Sequence, residues 1–238
     1  MTLPTLITPE FAIRLPSTGE EILFRPFLVK EEKILFIALE ANDETDSLRA
    51  VKNVLNSCIL SSIDIDTLTS FDVEYLFLNI RGKSIGEEIV LYMGHNNNEE
   101  CDNKTKVTIN IDEINVEGEI RRKPIVMLND NIGIKMKYST IKDMLSRKTT
   151  NDVENEFDIL LNNVISCIEY VFDDDAVFDT FTEDELKEFV DNLSASQFEL
   201  LAEFYNNMPQ LEKQINFKCE KCGVEENVVI KGLNSFFI

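Results

Sequence analysis

The stretch Phe217-Lys-Cys-Glu-Lys-Cys-Gly-Val-Glu-Glu-Asn-Val-Val-Ile-Lys-Gly232 carries two cysteines at Cys-x2-Cys spacing. A tight turn with this spacing aims both sulfurs at one point, and Gly223 supplies the positive φ that such a turn often needs. Tetrahedral zinc takes four ligands, so Cys219 and Cys222 would form half of a zinc site. A complete site therefore requires a second pair of ligands elsewhere in the chain.

The second pair that the sequence offers lies in the polar segment 94–102, which contains the only histidine of the chain. This segment precedes the alternating stretch Thr105–Ile111, just as the Cys-x2-Cys turn precedes Asn227–Ile230. Two ligand-bearing hairpins would then face each other as in a zinc ribbon. The predicted Zn²⁺ ligands of this Cys3His site are His95, Cys101, Cys219 and Cys222.

A ribbon without metal is the alternative interpretation. The spacing between His95 and Cys101 is looser than in a standard zinc knuckle, and the asparagines between them are typical of an ordinary loop. Hydrogen bonds and packing alone would then hold the two hairpins together. The other two cysteines, Cys58 and Cys167, lie on or beside apolar helical stripes and are predicted to be core residues.

The charge and the hydrophobic pattern of the chain argue against binding to nucleic acids or membranes. The 23 Lys and Arg residues against 44 Asp and Glu residues give a formal net charge of -21, which repels nucleic-acid phosphates and anionic lipid headgroups. The longest apolar run, Ile34–Leu39, is too short to span a membrane. The N-terminus lacks the pattern of a signal peptide. We therefore expect a protein of the cytoplasm, with reduced thiols and no nucleic-acid or membrane partner.

The hydrophobic pattern predicts an α+β fold in which helical N-terminal and C-terminal segments surround a small antiparallel, zinc-ribbon-like β unit. Four segments follow from this interpretation: residues 1–86 form an N-terminal arm and a three-helix unit, residues 87–138 a central β-hairpin unit, and residues 139–210 a helical segment. Residues 211–238 form the Cys-x2-Cys hairpin and an apolar tail that packs on the central β unit.

Several elements carry specific signals. Thr69 or Ser70 opens a predicted helix that Gly82 ends. An apolar stripe predicts one long helix over Val153–Phe172. The stretches Thr182–Glu185 and Ser194–Gln197 have the pattern of capping boxes. They predict two short helices that follow the long helix in the chain.

The sequence shows no motif of an enzyme. It lacks a phosphate-binding glycine loop, a Gly-x-Ser-x-Gly elbow and a His-Glu-x-x-His motif. The acidic clusters Asp173–Asp175 and Glu183–Glu185 are expected by chance among so many acids, and a loop and a helix start explain them. We therefore predict a noncatalytic protein.

Three stretches resemble a known family: Leu15-Pro-Ser-Thr-Gly-Glu-Glu-Ile-Leu-Phe-Arg-Pro-Phe-Leu-Val-Lys-Glu-Glu-Lys-Ile-Leu35, Ile80-Arg-Gly-Lys-Ser-Ile-Gly-Glu87, and the ending from Cys-x-x-Cys-Gly to Gly232-Leu-Asn-Ser-Phe-Phe237. They resemble the T4-like bacteriophage baseplate protein family, which includes the baseplate hub subunit and the hub assembly catalyst. The resemblance covers nearly the whole chain. It implies a viral protein that helps to build the central hub of a contractile tail.

The resemblance further implies that the partners are other hub or tail proteins. The protein would act in the host cell cytoplasm during assembly, and would either stay in the virion baseplate or leave as a chaperone. Family members often carry two cysteine pairs, the first of which is represented here by His95 and Cys101. The competing hypothesis is an acidic zinc-ribbon adaptor or a DNA mimic that binds a host factor.

Opposite charges concentrate at the predicted strand-to-helix junction around Arg25–Lys33, and the chain ends on apolar residues. Such a junction in an acidic chain is suited to directional docking on a partner. Internal ion pairs at the start of a surface helix are the alternative. The predicted partner-binding residues are Arg25, Lys30, Glu32, Phe236 and Phe237.

Overall fold

The computed structural model describes residues 6–41, 43–94, 101–120, 124–146 and 155–232. Within these residues the chain forms seven α-helices, and its eleven strands lie in four small antiparallel sheets. The helices are α1 (Val29–Ala41), α2 (Glu44–Cys58), α3 (Ser70–Ile85), α4 (Ile141–Ser146), α5 (Glu156–Ser166), α6 (Glu183–Asp191) and α7 (Ala195–Asn206). The strands are β1 (Phe11–Arg14), β2 (Glu21–Phe24), β3 (Glu88–Met93), β4 (Thr105–Asn110), β5 (Asn115–Glu117), β6 (Ile125–Met127), β7 (Gly133–Met136), β8 (Ile168–Phe172), β9 (Val177–Phe178), β10 (Gln210–Lys218) and β11 (Glu225–Lys231).

The predicted layout, with helical terminal segments around one small ribbon-like β unit, is wrong. The fold is a mixed α+β fold whose helices are not confined to the termini, because α4 and α5 lie between β7 and β8 along the chain. The segment predicted to be helical also contains β8 and β9. Strands as short as β9 carry almost no periodic pattern of their own, and hydrogen bonds from a neighbouring strand stabilise them.

The long helix predicted over Val153–Phe172 is confirmed over Glu156–Ser166 and is wrong beyond Ser166, while Val153 lies outside the described residues. Helix α5 ends at Ser166, and Cys167 caps it by donating its backbone N–H to the carbonyl of Val164 at 3.0 Å. The following residues form β8, which pairs with β7 on one side and β9 on the other. Tertiary pairing therefore overrides a local pattern that fits a helix.

Packing divides the chain into two compact units. Unit 1 contains Met1–Glu117 and Gln210–Ile238, and unit 2 contains Gly118–Pro209. Because compactness alone does not test the four predicted segment boundaries, those boundaries stay a prediction. Each described helix is too short or too polar to cross a bilayer.

Helix α3 and two sheets share one core of unit 1. The sheets are the β3–β4 hairpin and the three-stranded sheet with the order β11-β10-β5. The fully or largely buried members of this core are Leu78, Ile89, Leu91, Ile109, Ile111, Ile114, Leu211, Ile215 and Phe217. The shared core brings Cys101, just before β4, to the turn between β10 and β11.

Helix α3 begins as predicted and ends later than predicted. The side chain of Thr69 caps its first turn, and buried Asp72 accepts a hydrogen bond from the backbone N–H of Ser17 at 3.0 Å. The helix continues through Gly82, where a β carbon would lie 3.1 Å from a methyl carbon of Ile111. Glycine at this position thus permits close packing instead of ending the helix.

Unit 2 packs α5, α6 and α7 with one face of a four-stranded sheet of order β6-β7-β8-β9. Both predicted capping boxes are confirmed, at Thr182 with Glu185 and at Ser194 with Gln197. The buried residues of this core are Leu128, Ile134, Met136, Leu161, Val164, Cys167, Ile168, Val171, Leu186, Val190, Leu201 and Ala202. The core location predicted for Cys167 is confirmed.

Candidate metal centre

The Cys-x2-Cys turn joins β10 to β11 and is closed by its own backbone. Cys219 donates its N–H to the carbonyl of Val224 at 2.8 Å, and Gly223 donates its N–H to the carbonyl of Cys219 at 2.9 Å. Gly223 has a φ of 75°, a value that favours glycine. The turn predicted from Gly223 is therefore confirmed, and it places both cysteine side chains on one side.

Cys101 approaches this turn from the other hairpin, four residues before β4 begins. The sulfurs of Cys101, Cys219 and Cys222 all lie within 4.8 Å of one another, and those of Cys101 and Cys219 are 3.8 Å apart. Two thiolates bound to tetrahedral zinc, each about 2.3 Å from the metal, are separated by about 3.8 Å. The three cysteines could therefore hold one metal ion without a large rearrangement.

Hydrogen-bond donors around Cys219 favour its thiolate, the form that binds metal. The backbone N–H of Cys222 and that of Lys221, with the side-chain amide of Asn103 at 3.6 Å, outweigh burial and lower the pKa of Cys219 to about 5. The pKa of Cys101 is raised instead: the backbone N–H of Asn103 lowers it, but burial and the two neighbouring thiols together outweigh that effect. At neutral pH, Cys219 thus favours the thiolate form, whereas Cys101 favours the thiol form and would have to lose its proton when a metal binds.

An ion pair between Lys221 and Asp102 links the two loops that carry the cysteine cluster. Lys221 lies between the two cysteines of the turn, and its Nζ contacts Oδ1 of Asp102, beside Cys101, at 3.1 Å. Its hydrogen bond to Asp102 raises the pKa of Lys221, and the same bond lowers the pKa of Asp102. Both side chains are exposed, so this pair contributes little to stability and mainly links the two loops.

Comparison with known proteins identifies the family. Residues 8–238 match a protein-family model described as "T4 bacteriophage base plate protein". The chain belongs to this family. No curated protein and no solved structure gave a match. The family resemblance of the three quoted stretches is thus confirmed over nearly the whole chain.

The structure of this base plate family member brings together three of the four predicted ligands. Cys101 and Cys219 are buried, and Cys222 is half-buried beside them. His95, the predicted fourth ligand, lies outside the described residues, and so do the predicted docking residues Phe236 and Phe237. Those three assignments stay predictions.

Two contacts that support the cluster, at Asn103 and between Asp102 and Lys221, were not predicted from the sequence. The side-chain amide of Asn103 contacts the sulfur of Cys219. Asn103 lies two residues after Cys101, so its amide is close enough to the cluster to donate to a neighbouring thiolate. Asp102 and Lys221 carry opposite charges, each next to a predicted ligand. That adjacency was a usable signal, because pairing the hairpins through the ligands also pairs these charges.

Arg25 is engaged within the chain. Its guanidinium donates to the carbonyl of Ser57 at 2.7 Å, to the carbonyl of Pro26 at 2.9 Å and to the carboxylate of Glu31 at 3.0 Å. The side chain of Glu31 is only 2% exposed. Arg25 therefore fastens the end of β2 to the start of α1 and to α2, which agrees with internal ion pairing at this junction.

Lys30 and Glu32 lie at the surface, in contrast to Arg25. The side chain of Lys30 is 70% exposed, although its Nζ lies 3.3 Å from the carboxylate of Glu31, and Glu32 is exposed as well. Cys58 lies below this junction, and burial raises the pKa of its thiol to about 11. A fully buried, protonated thiol confirms Cys58 as a core residue.

The buried carboxylate of Glu31 predicts a loss of stability in acid. Burial raises its pKa, but hydrogen bonds from Arg25, Leu28 and Lys30 outweigh burial, so the pKa lies below the ordinary value of 4.5. A depressed folded-state pKa contributes stability above the unfolded-state pKa, and this contribution is lost as the pH falls through the folded-state value. We expect the free energy of unfolding to fall between about pH 5 and pH 3, and to fall less steeply for Glu31→Gln.

Urea unfolding at several pH values measures this slope. Glu32→Gln is the matched control, because Glu32 is exposed one residue away, and it should keep the wild-type slope. An identical slope for the wild type and Glu31→Gln would contradict the assignment.

Proposed function

We propose that this base plate family member is a noncatalytic protein that takes part in assembling the central hub of a contractile tail by docking on other hub or tail proteins. Family membership supports the baseplate setting. The observation that carries the docking role is the set of exposed apolar side chains on one face of α1, which begins within the charged junction at Arg25–Lys33. Large apolar side chains that share one exposed helix face often mark a surface that binds a partner.

The exposed apolar side chains of α1 have helical spacing. Val29, Phe36 and Ile37 lie at positions i, i+7 and i+8, and the side chains of Phe36 and Ile37 are 62% and 55% exposed. The opposite face is turned inward, since Glu31 and Ala38 are buried. Exposed Lys33 lies on the same face, between Val29 and Phe36. Exposed charges at Lys30 and Glu32 flank this face, and the three charges would give a docking partner its direction.

Structural roles for the acidic groups support a noncatalytic protein. Asp173 closes the turn between β8 and β9 by accepting backbone N–H bonds from Asp175 and Ala176 at 2.9 and 2.8 Å. Glu185 belongs to the capping box of α6, where hydrogen bonds from the N–H and hydroxyl of Thr182 lower its pKa. These carboxylates have local tasks that explain their presence without catalysis.

Zn²⁺ is the metal that we propose for the cysteine cluster. Thiolate ligands at tetrahedral spacing select Zn²⁺ over hard cations such as Mg²⁺ and Ca²⁺, which prefer oxygen. Because Cys101 and Cys219 are buried and come from two different hairpins, the ion would act as a cross-link of unit 1. His95 is the proposed fourth ligand.

Phe36→Ser tests the docking role. In a complementation assay with phage that lack this protein, we expect Phe36→Ser to lower the yield of infectious particles at least about tenfold, because an exposed aromatic anchor of an interface is worth about 2 kcal/mol or more. The matched control is Tyr92→Ser, which removes an exposed aromatic side chain from β3 in the same unit. An unchanged yield with Phe36→Ser would contradict docking through α1.

The identity of the partner and the fate of the protein need separate measurements. Pull-down from infected cells should recover hub or tail proteins with the wild type and lose them with Phe36→Ser. Recovery of a host factor alone would favour the competing adaptor or DNA-mimic hypothesis. Mass spectrometry of purified particles distinguishes a retained subunit from a chaperone that leaves after assembly.

A further inference from the structure

A groove in unit 2 runs between strand β6 and helix α7. It encloses about 570 Å³. Its walls come from β6 on one side and from the last two turns of α7 on the other, and the rings of Tyr138 and Phe204 stack in it with centroids 5.8 Å apart. The lining combines polar and apolar surface, and its exposed apolar side chains are Ile125, Met127 and Leu200.

The strand beside this groove is an edge strand. Among the described residues β6 pairs only with β7, so one side of β6 has no partner strand. Antiparallel hydrogen bonds join Pro124 to Met136 and Leu128 to Ile132, at 2.8 and 2.9 Å. Since bonding pairs alternate along an antiparallel ladder, the backbone groups of Ile125 and Met127 point away from β7.

We propose that this groove binds an extended segment of another protein, which adds as a strand to the outer edge of β6 and places alternate apolar side chains in the groove. Strand addition of this kind takes affinity from backbone hydrogen bonds and specificity from pockets for alternate side chains. The inference concerns a different unit from the docking face of α1 and does not depend on it.

Charge determines which partner fits. The chain has a formal net charge of -21, and the groove is bordered by Glu119 and Glu203. A second copy of this chain would bring the same negative charge to the groove, so self-pairing is opposed. The segment that fits has apolar residues at alternate positions and Lys or Arg at its ends.

Proline at position 127 isolates the edge interaction. The N–H of Met127 faces outward and takes no part in the β6–β7 ladder, so Met127→Pro removes a docking donor and keeps the internal hydrogen bonds. Met127→Leu is the matched control, because it keeps both the N–H and an apolar side chain of similar volume. Circular dichroism and thermal unfolding verify that both variants are folded.

The probe is an array of overlapping peptides that cover the sequences of the other structural proteins of the same phage. Each peptide has about 15 residues, which is long enough to form one added strand. We expect the wild type to bind peptides with alternating apolar positions and basic ends. Binding should weaken about tenfold with Met127→Pro, remain with Met127→Leu, and weaken with added salt. If Met127→Pro does not fold, Leu200→Glu and Glu203→Lys on the helix side of the groove provide the same test.

Three results would overturn the proposal. One is the absence of any bound peptide, and another is binding that none of the groove variants changes. The third is concentration-dependent dimerisation of the wild type that Met127→Pro abolishes, because the groove would then be an interface between copies of this chain. None of these results bears on the yield of infectious particles with Phe36→Ser, so failure here is distinguishable from failure of the proposed hub role.

Discussion

Cys219→Ser is expected to remove the metal from the protein and to lower the midpoint of thermal unfolding by roughly 8–16 °C. A structural zinc site contributes its binding energy directly to folding, with apparent values of about 10–16 kcal/mol in small zinc-binding peptides. The core of α3 and two sheets also stabilises unit 1, so a smaller loss of about 4 kcal/mol is expected here. In a chain of this size such a loss corresponds to roughly 8–16 °C.

Metal analysis and calorimetry measure the two parts of this prediction. Wild-type protein purified without chelator should contain one zinc ion per chain, and chelator treatment should reproduce the unfolding midpoint of Cys219→Ser. Cys167→Ala is the matched control, because this cysteine is buried in unit 2 and should leave the metal content unchanged. Wild-type protein free of metal, with the same midpoint as Cys219→Ser, would refute the zinc site and leave a ribbon held by packing.

Breaking the buried ion pair between Arg25 and Glu31 is expected to cost about 3–5 kcal/mol of unfolding free energy, because removal of one partner leaves a buried charge uncompensated. The side chain of Arg25 is 14% exposed, and its contacts with two backbone carbonyls would also be lost in Arg25→Ala. Both Arg25→Ala and Glu31→Gln should therefore shift the urea midpoint strongly. Because of this loss of stability, a charge reversal at Arg25 would impair folding and could not test whether Arg25 contacts a docking partner.

The exposed neighbour Lys30 supplies the comparison. Lys30→Ala removes a charge at the same junction and should change stability by no more than about 0.5 kcal/mol. A double variant, Arg25→Met with Glu31→Leu, replaces the pair by apolar groups and should recover much of the stability lost in the single variants. If Arg25→Ala and Glu31→Gln were as stable as Lys30→Ala, the ion pair between Arg25 and Glu31 would not be needed for the stability of the fold.

The parts of the fold that local chemistry determines were predictable from the sequence. The capping boxes at Thr182 and Ser194 and the turn at Gly223 depend on residues within three or four positions of one another, and all three are confirmed. Strand β8 was not predictable in this way. Its spacing of Ile168 and Val171 fits a helix equally well, and only pairing with β7 decides its conformation.

The candidate sites show the same division between local and distant causes. The spacing of Cys219 and Cys222 indicated half of a metal site, and the parallel order of loop and strand indicated the other half at Cys101. The role of Arg25 was harder to assign, because opposite charges close in sequence look alike whether they are buried or exposed. Burial of Glu31 depends on the packing of α1 against the rest of unit 1, which the sequence of the junction does not contain.

The insertion of unit 2 into unit 1 has a consequence for the order of events during synthesis. Cys101 is separated from Cys219 by 118 positions, and the whole of Gly118–Pro209 leaves the ribosome before β10 does. At about 5–20 residues per second this interval lasts several seconds, far longer than a small domain needs to fold. The β3–β4 hairpin and the Cys101 thiol therefore lack their partners in the sheet of β10 and β11 until those two strands have been synthesised.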